Sequence, residues 1–309
     1  MRLKKLSNLK HSGCSWRQSV FAAQTWGTPE DKDCIVVVGR SNYRKSSASI
    51  ETLLADLHAA GFVVVWFESR MTEIARWRDA RLERLLGGRL LPWCQSHGTL
   101  GKHVRRLANA LILMMRPDKW SYLSTRFNDP NVLSARDLRH FLHQWPLRSV
   151  HLFAHSAGGI VSSLVAEEPA IASMVCFGYP FKHPEKDEES VRTAHLPAVC
   201  KPFLIFQGDQ DEYGTALDAQ RYPLSASTVV KSIHSNHDYD SLASQEYCRC
   251  LALLLRFLRG VVSAKRDDVD VSEPIHPCSQ FHRMRLKAIE LPQVAECQSR
   301  DTNSRMSCH

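Results

Sequence analysis

Two hydrophobic rhythms alternate along this chain. Cys34 to Val38 is a continuous β-branched run that ends at Gly39, the length of one buried strand. After the polar stretch Arg40 to Ser47, the residues Ile50, Leu53, Leu54 and Leu57 recur at helical spacing and stop at Gly61. Phe62 to Phe67 is again continuously apolar, as in a strand covered on both faces. Strand, helix and strand in that order predict the start of a parallel sheet.

From Glu68 to Gln144 the strand rhythm vanishes and three helical patterns replace it. One runs over about 72–91; a second carries Val104, Leu107, Ala108, Leu111 and Met115 and stops at Pro117. The third starts at Ser134, where Ser134 and Asp137 have the spacing of a capping box, and continues through Leu138, Phe141, Leu142 and Trp145. Strands then return at 149–154, 171–177, 203–207 and 227–233, with helices at 157–167 and 241–258. The prediction is an α/β fold, a mostly parallel sheet of about six strands flanked by helices, with a helical cap insertion over about 70–146. Residues 1–32 read as an N-terminal extension, 33–260 as the domain, and 261–309, where apolar periodicity fades, as a disordered tail.

Composition changes this picture little. At 309 residues, 44% hydrophobic and 23% charged, the chain can bury a large core, and fibrous or wholly disordered classes are excluded. No apolar run reaches the length of a transmembrane segment. The net charge of +8 is concentrated: Arg2, Lys4, Lys5, Lys10 and Arg17 stand without an acid in the first 20 residues, and residues 70–106 hold nine basic against three acidic side chains. Such clusters suit nucleic acid, an anionic membrane face or an acidic substrate, but no nucleic-acid motif accompanies them, so the expectation is a solvated, partly amphipathic surface and no nucleic-acid partner. None of the ten cysteines forms a Cys-x2-Cys pair, and several lie in apolar strands; no metal site is expected, and reduced thiols in a cytoplasmic protein are.

The chemistry concentrates at Ala154-His155-Ser156-Ala157-Gly158, between a strand and a glycine-rich helix start. A serine on a sharp strand-to-helix turn needs small neighbours, because the two backbones approach closely, and its hydroxyl stands near unpaired helix N–H groups that favour developing negative charge. Such a hydroxyl is a weak nucleophile until a base takes its proton and a carboxylate orients that base. Asp211 follows the 203–207 strand and His237 follows the 227–233 strand, so parallel strand ends can bring them to Ser156. Asp209 and His234 are the competing acid and base, with Asp211 and His237 favoured; His155 is read as a neighbour that shapes the pocket.

The stretch Phe177-Gly178-Tyr179-Pro180, with Pro184, Arg192-Thr193-Ala194-His195-Leu196, Pro202, Gln207-Gly208, Asp211 and Gly214, resembles the dienelactone-hydrolase-like branch of the α/β-hydrolases, related to the testis-expressed α/β-hydrolase-like proteins. The order Ser156, Asp211, His237 is also that of an α/β-hydrolase triad. The resemblance implies Ser156 as nucleophile, Asp211 as acid and His237 as base. The reading that follows is a serine hydrolase cleaving an ester or thioester of a small-molecule acyl substrate, with an oxyanion hole from the backbone N–H groups of Ala157 and of Arg40 or Ser41 and no metal or organic cofactor. An acyltransferase on the same fold and a non-catalytic interaction module are the alternatives.

Overall fold

The protein is described by a computed structural model over residues 22–27, 33–40, 45, 47–86, 90–120, 127–144 and 149–267. Strands β1 (Ala22–Trp26), β2 (Cys34–Val38) and β3 (Val63–Phe67), with helix α1 (Ala48–Ala59) between the last two, form the first part of the sheet. The second part is β4 (Val150–His155), β5 (Ile171–Phe177), β6 (Phe203–Gly208) and β7 (Thr228–Ile233). Helix α6 (Ala157–Ser163) follows β4, the one-turn α7 (Ala216–Ala219) precedes β7, and α8 (Ser244–Asp267) follows it. The sheet has seven strands in the order β1-β3-β2-β4-β5-β6-β7, all parallel except β1, which pairs antiparallel with β3. This is the α/β-hydrolase type of architecture expected from the sequence, with one strand more.

The extra strand is β1, inside the stretch read as an extension. Ala-Ala-Gln-Thr-Trp alternates weakly and occupies an edge, where one ladder and the edge-to-face contact of Trp26 with Trp66 at 4.4 Å suffice to hold it. The central strands are buried on both faces, as their continuous apolar runs require. Successive residues of β2 alternate: Cys34, Val36 and Val38 point into a core with Leu138 and Phe141, whereas Ile35 and Val37 join Leu53, Leu54, Leu57, Leu254 and Leu258. Helix α8 supplies part of that second core and runs on past Gly260 to Asp267, longer than apolar periodicity alone indicates.

Among the described residues between β3 and β4 lie four α-helices rather than three: α2 (Arg70–Leu86), α3 (Leu90–Ser96), α4 (Gly98–Met114) and α5 (Pro130–Gln144). The pattern expected to run unbroken to 91 ends at Leu86, ahead of Gly87 and Gly88 in the sequence. Helix α5 belongs to the sheet-covering layer through Ala135, Leu138, Phe141 and Leu142. It also starts four residues earlier than expected. Pro130 takes the first helical position, and the Asp129 carboxylate accepts from the N–H of Asn131 at 2.7 Å, so the Ser134 to Asp137 spacing is not a cap. Asp137 instead accepts from the Arg70 N–H at 3.0 Å at the start of α2, and burial raises its pKa.

The basic stretch is not uniformly solvated. Arg78 is buried beside Asp79, whose carboxylate accepts from its Nη2 at 3.1 Å, and Arg105 reaches the same carboxylate at 3.7 Å. Cys34, Cys94, Cys176, Cys200, Cys248 and Cys250 are free thiols, and burial pushes Cys34 and Cys250 up to about 12, so both stay protonated as small apolar groups. Among the described residues, no helix is long and apolar enough to cross a membrane.

Candidate active site

The carboxyl ends of β2, β4, β6 and β7 face one edge of the parallel sheet, and the loops leaving them carry the chemistry. Ser156 sits at the junction of β4 and α6 with φ +56°, a left-handed conformation held because its N–H donates to the Phe177 carbonyl and its own carbonyl accepts from Gly159. The turn demands Gly158. A Cβ on that residue would lie 2.1 Å from the Val38 carbonyl oxygen, so a side chain there would force α6 away from the end of β2.

The Ser156 hydroxyl lies 2.7 Å from His237 Nε2, and His237 Nδ1 lies 2.9 Å from both carboxylate oxygens of Asp211. A carboxylate on the Nδ1 side requires the proton there, which leaves Nε2 as acceptor for the serine hydroxyl. The side chains of Asp211 and His237 are 0% and 4% exposed. Burial is the largest influence on Asp211 and raises its pKa, against the opposing pull of His237 and of the Tyr213 N–H, which donates to it at 2.8 Å. The structure therefore brings together Ser156, Asp211 and His237.

The competing acid and base form a pair of their own. His234 Nδ1 lies 2.8 Å from the Asp209 carboxylate, which also accepts from the Ser235 N–H, and both side chains face solvent. That contact lowers the Asp209 pKa and raises that of His234. His155 is buried, and burial followed by the Arg40 charge holds its pKa down to about 3. A neutral imidazole can donate from Nε2 to the His237 carbonyl, 3.2 Å away, so His155 fixes the backbone of the base.

Of the expected oxyanion groups, Ala157 is the first residue of α6, where an N–H has no acceptor within its own helix. Arg40 lies two residues beyond β2; its guanidinium bonds Asp238 at 2.6 Å and so ties this loop to the one carrying His237. Ser41 lies outside the described residues.

Four supporting residues received no role in the site from the sequence. Gln207 donates from Nε2 to Asp211 at 3.0 Å and also to the Gly214 carbonyl, and its signal was a polar residue closing an apolar strand, which burial obliges to find partners. Asn236 accepts from the N–H groups of Asp238 and Tyr239, an Asx turn that bends the loop at His237. Tyr213 packs its ring 4.3 Å from that of His237. Gly178, at φ +63°, forms the floor, because a Cβ there would lie 3.2 Å from His237 Nδ1.

Residues 116–251 match the family model of an alpha/beta hydrolase domain, a span that includes all three residues of the constellation. Among curated proteins no sequence match was found. Solved structures similar to this chain include a thioesterase domain from the curacin biosynthetic pathway, 9% identical over 75% of this chain and 93% of that one, with a TM-score of 0.47. An alpha-beta serine hydrolase homologue from Coxiella burnetii is 18% identical over 74% and 86%, with a TM-score of 0.42. An esterase domain from a Rhodothermus marinus protein is 14% identical over the same shares, with a TM-score of 0.41. The family match supports a place in the α/β-hydrolase superfamily.

Proposed function

We propose that this protein is a serine hydrolase that cleaves a carboxylic ester or thioester through an acyl-enzyme. The observation that carries the reading is the unbroken contact line from Ser156 Oγ through the two His237 nitrogens to Asp211. Ser156 Oγ attacks the substrate carbonyl carbon while its proton passes to His237 Nε2. The N–H groups of Ala157 and Arg40 stabilise the oxyanion, and Asp211 stabilises the imidazolium. Collapse of the tetrahedral adduct breaks the bond to the alcohol or thiol, which leaves with the proton from His237. Water then loses a proton to His237, attacks the acyl carbon and releases the carboxylic acid, restoring the Ser156 hydroxyl. The chain's own residues suffice for each step.

A finer placement beside the dienelactone hydrolases rests on the residues between Phe177 and Gly214 and belongs to this proposal. So does a cytoplasmic location, which the free thiols support. The test is labelling by a fluorophosphonate, which phosphonylates an activated serine. Labelling of the full chain that disappears in Ser156→Ala supports the assignment. An unlabelled protein that hydrolyses neither ester nor thioester overturns it in favour of a non-catalytic module.

A further inference from the structure

Tyr213 meets two imidazoles in different ways. His183 stands edge-on to its ring, with centroids 5.9 Å apart and planes at 75°. His237 lies closer, at 4.3 Å with planes at 35°, nearer to a stack than to an edge contact. The backbone holds this placement. The Tyr213 N–H donates to Asp211 at 2.8 Å, and its carbonyl accepts from the Lys182 N–H at 3.0 Å. The ring that packs on the candidate base is therefore tied to the acid that orients that base.

A neutral imidazole gains little from such a ring beyond burial. An imidazolium gains more, because the face of an aromatic ring carries negative charge density that attracts a cation. Proton transfer from Ser156 turns the one into the other. The His237 side chain is 4% exposed, so water scarcely screens the attraction or solvates the new charge. Its other neighbours leave this task to Asp211 and the ring. His155 is neutral, held down to about 3 by burial and then by Arg40, and burial keeps Cys176 and Tyr239 protonated. Arg40 and Lys45 pair with Asp238, the residue after the base, and Glu212 is exposed. The imidazole thus has a carboxylate at one end, the nucleophile at the other and an aromatic ring across its plane.

We infer that Tyr213 is a positioning residue whose ring face receives the positive charge that forms on His237 and holds the imidazole in line between Ser156 and Asp211. The inference rests on the hydrolase reading and adds a residue to it: Tyr213 acts through His237, in both half-reactions, because the base becomes an imidazolium in each.

The experiment compares Tyr213→Phe, Tyr213→difluorophenylalanine, Tyr213→trifluorophenylalanine and Tyr213→Leu in the full chain. Fluorine withdraws charge from the ring face while scarcely changing the size of the ring, so the series varies the attraction and preserves the packing. Ester turnover and the rate of fluorophosphonate labelling are read for each variant, and urea denaturation confirms its fold. Tyr213→Phe is expected to retain kcat within about twofold, kcat to fall stepwise with added fluorine, and Tyr213→Leu to lose about tenfold. KM stays near its wild-type value throughout, because the imidazolium belongs to the transition states and not to the bound substrate. Labelling rates follow the same order. A kcat that is level across the fluorinated series overturns the inference and leaves Tyr213 a matter of shape. A loss in Tyr213→Phe as large as that in Tyr213→Leu also overturns it, in favour of the hydroxyl. Both of those results leave wild-type labelling, and with it the hydrolase reading, intact. A wild-type chain that is neither labelled nor active overturns that reading and this inference together.

Discussion

The backbone N–H of Gly208 donates to the phenolic oxygen of Tyr239 at 2.9 Å, and that hydroxyl lies 3.1 Å from the Phe206 carbonyl, to which it donates. Gly208 ends the strand that leads to Asp211, and Tyr239 lies two residues beyond His237. A single buried hydroxyl thus joins the loop of the acid to the loop of the base. Tyr239 holds φ +53° to do so, and its carbonyl accepts from Ser47 at the cap of α1. Three segments distant in sequence are thereby locked at one point.

Tyr239→Phe keeps the ring and removes both bonds of the hydroxyl. The Gly208 N–H is left buried without its acceptor, at a cost of about 1–3 kcal/mol to be read by urea denaturation. Misalignment of Asp211 and His237 lowers kcat by about tenfold or more while KM stays near its wild-type value. Wild-type kcat with a lowered unfolding midpoint would reduce Tyr239 to a purely structural role.

The raised pKa of Asp211 makes ionisation of this carboxyl a burden on the fold, because burial outweighs the stabilising contacts. For an acid whose folded pKa lies above its unfolded value, the cost is present in full above the folded pKa. It disappears as pH falls through that pKa to the unfolded one. Asp211→Asn is therefore expected to keep or raise stability at neutral pH, and its advantage over the wild type shrinks on acidification. Activity moves the opposite way, with a loss of roughly three to four orders of magnitude in kcat. Parallel denaturation curves at neutral and acidic pH, beside ester turnover, check both signs.

His234 and His237 lie three residues apart, yet only His237 contacts Ser156. His237→Ala costs several orders of magnitude in kcat, whereas His234→Ala leaves turnover within about twofold. Proton NMR titration gives an independent check: His234 titrates above its ordinary value of 6.5, and Asp209→Asn returns it towards that value. Any stabilisation from this exposed pair is present at low pH and lost as pH rises through the raised pKa.

A domain boundary near residue 260 remains a proposal, and the course of α8 moves the sensible cut to just after Asp267. Removing residues 268–309 is expected to leave the thermal midpoint within about 2 °C, because Cys250, Leu254 and Leu258 are retained. A fall several times larger would show that the removed residues contribute to the core.

Much of this protein was legible along the chain because its signals are local. The apolar runs 34–38, 62–67, 171–177 and 203–207 are strands because a parallel sheet buried on both faces tolerates little else there, and Ser156 among Ala154, Ala157 and Gly158 marks the turn that such strands feed. Parallel strands also send their carboxyl ends to one edge, so the order Ser156, Asp211, His237 already implied convergence. What sequence could not decide depends on partners far along the chain. Edge strand β1 is held by β3, Asp137 leaves its own helix to meet Arg70, and Asp209 is separated from Asp211 by which histidine each loop presents to it. Gln207, Tyr239 and Arg40 acquire their positions only when the loops close on one another. The outward side of α4 has the same origin: its apolar spacing was plain, but only packing against Leu82 and Trp77 determined that Leu107 and Leu111 face away from the core.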